Sequence, residues 1–184
     1  MIALILLGII VLIVLYVIFA YNRLVRLKNL TQEGWSGIDV QLKQRANLIP
    51  NLVETVKGYM GHERGVLEQV TQLRTQALAS GNMQERANNE NMLTNALRQL
   101  FAVSENYPDL KASQNFIDLQ NTLTSIENQI QLARRYYNGT VRDLNIAIQS
   151  FPSNVIANTF NFKPAEFFEI EDAKERDVPA VKLT

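Results

Sequence analysis

The chain of 184 residues has no cysteine, which excludes disulfides, thiolate chemistry and zinc sites built on sulfur. It has one histidine, His62, so no site that needs two imidazoles can form, including the helical His-Glu-x-x-His protease motif. It has no surplus of charge, because 18 Lys and Arg balance 18 Asp and Glu. That argues against nucleic acid as a partner, since a basic surplus is what displaces counterions from phosphates. There is no Gly-x-x-x-x-Gly-Lys-[Ser/Thr] loop, no Gly-x-Ser-x-Gly elbow and no strand–turn–helix glycine fingerprint. Glu54, Glu85, Glu90, Glu105, Asp118 and Glu127 are scattered, and none belongs to the Glu-x-x-His pattern by which helical bundles hold two metals. From the residues alone, no catalytic, cofactor-binding or metal-binding position is assigned, and the expectation is a non-enzyme with no cofactor.

Charge is also absent locally. Met1 to Ala20 carry no charged side chain, and the first is Arg23. At roughly 1.5 Å per residue, such a helix reaches about 30 Å, the thickness of a bilayer's hydrocarbon core. A cleavable signal peptide would have a basic leader, a shorter apolar run and a small-x-small cleavage site. Here nothing basic precedes the run, and Ile18-Phe19-Ala20 is a poor cleavage site. The expectation is an uncleaved transmembrane anchor over 1–20. Tyr16, Phe19 and Tyr21 stand where an aromatic belt belongs, and Arg23, Arg26 and Lys28 form a basic collar facing lipid headgroups. The positive-inside rule then puts the N-terminus outside and the body in the cytoplasm.

Beyond the anchor the pattern is helical. Leu24, Leu27, Thr31, Gly34, Ile38, Leu42, Arg45, Ile49, Leu52, Val56 and Tyr59 recur in steps of three and four, a coiled-coil-like seam. It continues more weakly to about Ala79. Pro50 predicts a kink, because it frees the Ala46 carbonyl; Gly58, Gly61 and Gly65 soften the turns that follow. Ser80-Gly81-Asn82 is a turn, and a second helix is expected over about 84–106. Asn106-Tyr107-Pro108-Asp109 is the next turn. Ser113 can cap a third helix whose seam runs from Phe116 through Ile148 to Phe151, crossing Asn138-Gly139 in register. Ser153–Asn158 can form a short helix, and Phe160, Phe162, Phe167 and Phe168 can pin the following segment onto a bundle. The fold class is all-α: an N-terminal transmembrane helix continuing into an antiparallel bundle of long helices over 21–169, with a flexible charged tail over 170–184.

Several residues admit two readings. Trp35, flanked by Gly34 and Gly37, is either an anchor for a partner's helix or a Trp packed into its own bundle. Arg45, on the first seam, is either a buried polar residue that sets register or a snorkelling side chain at a bundle edge. His62 lacks the nucleophile and orienting carboxylate that a general base needs, and reads as an exposed helix histidine. Asn and Gln number 31, so many helix surfaces are polar but neutral.

A family pattern covers about 20–169. It is carried by Tyr21-Asn22-Arg23-Leu24-Val25, by Trp35-Ser36-Gly37-Ile38-Asp39-Val40 and by Asn47-Leu48-Ile49-Pro50-Asn51-Leu52-Val53-Glu54. Further matches are Glu105-Asn106-Tyr107-Pro108-Asp109-Leu110, Ala133-Arg134-Arg135-Tyr136-Tyr137-Asn138, Phe151-Pro152-Ser153-Asn154 and Phe162-Lys163-Pro164-Ala165-Glu166-Phe167-Phe168-Glu169. In these the chain resembles the LemA family of bacterial membrane-anchored helical proteins. The resemblance implies a membrane helix followed by a helical bundle, and no catalytic residues. One relative of this type is associated with building organelle membranes, and others occur alongside membrane proteases. The expectation is a self-associating scaffold in the bacterial cytoplasmic (inner) membrane, with lipid, other copies of itself and a membrane-protein client as partners. The alternative is an adaptor or regulator of a membrane enzyme such as a protease.

Overall fold

The computed structural model describes residues 1–61 and 63–169. His62 and the expected charged tail over 170–184 lie outside the described residues. Among those described, every regular element is a helix: α1 (Ile2–Lys57), α2 (Arg64–Ala79), α3 (Met83–Ser104), α4 (Pro108–Lys111), α5 (Gln114–Gln149) and α6 (Ser153–Thr159).

Helix α1 continues through Pro50. The proline ring supplies no N–H to the Ala46 carbonyl one turn back. Arg74 of α2 replaces it, its Nε donating to that oxygen at 2.6 Å. The glycines that follow do more than soften: the helix stops at Lys57 and restarts at Arg64. Gly58 and Gly61 lie in this gap, and each glycine costs about 1 kcal/mol relative to Ala in a helix interior. Helix α3 opens on Asn82, whose side chain accepts from the Glu85 N–H at 2.8 Å, while the Glu85 carboxylate accepts from the Gly81 N–H at 3.1 Å. This is a reciprocal cap of the capping-box kind. Pro108 sits in the first turn of α4, a single turn of helix inside what the sequence presents as a loop. Helix α5 runs through Asn138-Gly139 without a break.

The turn into α6 passes through Phe151-Pro152. Ser153 Oγ ties it back by donating to the carbonyls of Ala147 (2.6 Å) and Ser150 (2.9 Å). Helix α6 ends in a Schellman arrangement. Asn161 takes a left-handed backbone, φ 56°, and the Phe162 N–H donates to the Ala157 carbonyl at 2.9 Å.

The chain forms two compact units. The first comprises Met1–Val40 and Ile130–Phe167. Its core joins Ala20 and Leu24 of α1 to Leu144, Ala147 and Ile148 of α5 and Ile156 and Ala157 of α6. The second comprises Gln41–Gln129 with Phe168 and Glu169. Ile49, Leu52 and Val56 of α1, Val70 and Leu73 of α2, Leu93, Leu97 and Leu100 of α3, Leu110 of α4 and Phe116 and Leu123 of α5 meet in its core. The seam positions Leu24, Ile38, Leu42, Ile49, Leu52 and Val56 are buried within the chain, but the last expected member, Tyr59, falls past the end of α1, where the helical period no longer holds, and is 44% exposed. The α5 seam is buried as far as Ile148 except at Leu119 and Ala133, which are half-buried, and its last expected member, Phe151, lies beyond the helix end and turns outward, 82% exposed.

Candidate functional site

In the first unit, α1 begins with an apolar segment long enough to cross a membrane, none of which is buried. Tyr16, Phe19 and Tyr21 are exposed at its end, and so are Arg23, Arg26 and Lys28 of the expected collar. Packing starts before the apolar run is over. Val17 and Ala20 already lie against the α5–α6 core, so the expected boundary between anchor and bundle at residue 20 falls inside that packing. Tyr21 carries an aromatic cluster, its ring centroid 4.8 Å from Phe160 and 5.8 Å from Phe162. Lys28 and Lys163 line one recess of about 340 Å³ with Gln32 and Asn161.

The segment after α6 is fastened by its backbone. Asn145 accepts from the Ala165 N–H and donates to the Ala165 carbonyl, both at 2.9 Å. The Tyr137 hydroxyl donates to the Glu166 carbonyl at 2.8 Å. Burial first, and the Glu166 carboxylate second, push the Tyr137 pKa up to about 12, so the hydroxyl stays a donor at neutral pH.

The Gly34-Trp35-Ser36-Gly37 run splits its roles. Gly34 is buried where α1 and α5 meet, and a Cβ there would stand 3.1 Å from the Tyr137 Cα. Trp35 is half-buried, its ring 5.7 Å from that of Tyr137 at 58°. Gly37 is exposed and has open space around it.

In the second unit the structure gathers three charged residues that the sequence leaves scattered. Arg45 is 1% exposed and pairs with the carboxylates of Glu90 and Glu127. Its Nη1 also donates to the Thr94 hydroxyl at 2.7 Å. Of the two readings of Arg45, the buried one holds. Burial pulls the Arg45 pKa down, but Glu127 and Glu90 more than offset it, and the guanidinium ends above its ordinary value. Burial pushes Glu90 up, and Arg45 only partly reverses this, so the carboxyl ends above the ordinary carboxylate range. The only sequence signal was the arginine on an apolar seam, because no local spacing links positions 45, 90 and 127. The cluster is internally paired, and its guanidinium is occupied by carboxylates rather than open to a substrate. Among the described residues no three His, Asp or Glu side chains come together to hold a metal ion. A groove of about 730 Å³ runs between the end of α1 and α2, lined by Val53, Lys57, Met60, Arg64, Leu67 and Glu68 among others.

Comparison with known proteins gives this arrangement its relatives. Magnetosome protein MamQ 2 of Paramagnetospirillum magneticum is 24% identical, over 89% of this chain and 70% of its own length. Protein LemA of Metamycoplasma hominis is 25% identical over 88% of this chain and 74% of its own length. Magnetosome protein MamQ of Magnetospirillum gryphiswaldense is 21% identical over 86% and 68%. The sequence profile of the LemA family matches residues 34–183, most of the body beyond the apolar segment. The chain belongs to the LemA family.

Proposed function

We propose that this protein is a non-enzymatic, single-pass membrane scaffold that self-associates and organises membrane or holds client proteins. The carrying observation is the division of α1. Its apolar start is uncharged and exposed as far as Tyr16, whereas from Val17 onward the same helix joins a packed helical core. Leaving so much contiguous apolar surface in water is unfavourable, and a bilayer relieves it. The names of the relatives, which are not those of enzymes, support the absence of catalysis. The cations Arg23, Arg26 and Lys28 directly after the apolar run support a body in the cytoplasm of a bacterium, with the N-terminus outside.

The helical seams are consumed inside the chain, so self-association uses other faces. Val40 of α1 and Leu132 and Tyr136 of α5 are at least half exposed and are available for it. The test is the mass of the full chain extracted in mild detergent, with crosslinking in native membranes. A multimer that crosslinks to itself is expected. A monomer that crosslinks to one dominant other protein overturns the scaffold in favour of an adaptor for that protein.

A further inference from the structure

We propose that the turn between α5 and α6 is a second membrane contact, with Phe151 and Val155 entering the headgroup region of the bilayer beside α1. The proposal rests on reading the apolar start of α1 as a membrane anchor.

Register places the turn at the right height. The Cα of Tyr137 on α5 lies opposite Gly34 on α1. Both helices rise about 1.5 Å per residue. The two run antiparallel here, since Leu144, Ala147 and Ile148 of α5 pack with Leu24 and Ala20 of α1. Fourteen residues from Gly34 toward the N-terminus is Ala20; fourteen from Tyr137 toward the C-terminus is Phe151. The turn therefore stands level with the end of the exposed apolar run.

Its chemistry suits that height. Phe151 is 82% exposed, Val155 55% and Phe160 51%. No charged side chain occurs between Asp143 and Lys163, an uncharged stretch that includes all of α6. Exposed apolar side chains at this height, with no charge among them to desolvate, match a segment whose apolar face enters the headgroup and acyl boundary by about 5–10 Å. The cations lie one step farther from the apolar run. Arg23, Arg26 and Lys28 follow Ala20, and Lys163 shares a recess with Lys28, a placement that suits anionic headgroups. The Tyr21–Phe160 contact holds the far end of α6, the helix that follows the turn, against the anchor at belt level.

The absence of cysteine allows a direct test. Full-length Phe151→Cys, Val155→Cys, Leu12→Cys and Asn121→Cys are each labelled with an environment-sensitive fluorophore. They are reconstituted into vesicles of phosphatidylethanolamine and phosphatidylglycerol carrying nitroxide lipids. Labels at 151 and 155 are expected to shift to the blue and to be quenched best by shallow nitroxides. The label at 12 is expected to be quenched by deep nitroxides, and the label at 121 by aqueous iodide alone. Quenching at 12 without quenching at 151 and 155 overturns the second contact and leaves the anchor standing. In that case iodide access means the turn lies in water, and shielding from iodide means a protein neighbour covers it. No quenching at 12 overturns the anchor, and the second contact with it.

Discussion

Arg45 shows what one residue can demand of its surroundings. A guanidinium that is 1% exposed is tolerable only because Glu90, Glu127 and Thr94 receive its protons. Removing one partner of a buried pair leaves the other charged and unpaired, which costs about 3–5 kcal/mol, whereas replacing both with apolar side chains is often neutral or better. Arg45→Met is therefore expected to lower stability by about that amount in a urea titration, and Arg45→Met with Glu90→Leu to recover much of it. Glu90 also sets a pH dependence. Its pKa is raised on folding, so the folded state holds that proton more tightly than the unfolded state. The stability this confers is present in acid and is lost as pH rises from the ordinary carboxylate range through the raised value. Glu90→Gln should flatten that part of the profile, read as the difference in urea midpoint between wild type and variant across pH. An arginine on an apolar seam was visible in the sequence. Its acids were not, because a single chain carries no signal that pairs positions so far apart.

Among the elements, α1 was legible in its period and charge and less so in its interruptions. Pro50 announced the loss of a donor to Ala46, but the replacement comes from Arg74 on another helix, beyond the reach of local pattern. The two positions should be coupled. Arg74→Met is expected to cost about 1.5–3 kcal/mol, as for hydrogen bonds to charged groups, and clearly less in a Pro50→Ala background, where the backbone can satisfy Ala46 itself. Equal losses in both backgrounds would refute the capping role. The glycines near Trp35 give a second contrast. Gly34→Ala must push the Tyr137 backbone aside and should lower stability by about 1–3 kcal/mol, as for overpacking, read as a lower melting point. Gly37→Ala, in open space, should raise stability by about 0.5–1 kcal/mol through helix propensity alone. The small residues around Trp35 looked equivalent in the sequence. Only the position of α5 shows which one is needed for close approach.

At the scale of the whole molecule, the all-helical class and the membrane-length leader followed from periodicity and the location of the first charge, and family membership from the motifs. The reach of the packed core along α1 did not. A change in composition marks residue 20, whereas packing reaches back to Val17. A chain begun at Val17 should therefore keep the first unit's core. A chain begun at Val25 loses Ala20 and Leu24 and should be less stable by about 2–5 kcal/mol, the cost of deleting one large buried aliphatic side chain. Denaturant titration of the two shortened chains measures this, and equal midpoints would show that the leader contributes nothing to the body.

The tilted Tyr21–Phe160 ring contact has a mechanical consequence. A lone span behaves as a ball joint, free to lean at any angle to the bilayer normal within the slack of its lipids. A brace packed against the stalk at the waterline would remove that freedom, because leaning one way would lift the brace out of the lipid and leaning the other would drive it deeper. Trp35 is fifteen residues along the helix from Ala20, about 22 Å farther along the stalk than the brace. Copies sharing one leaflet would thus present their Trp35 rings in a common plane.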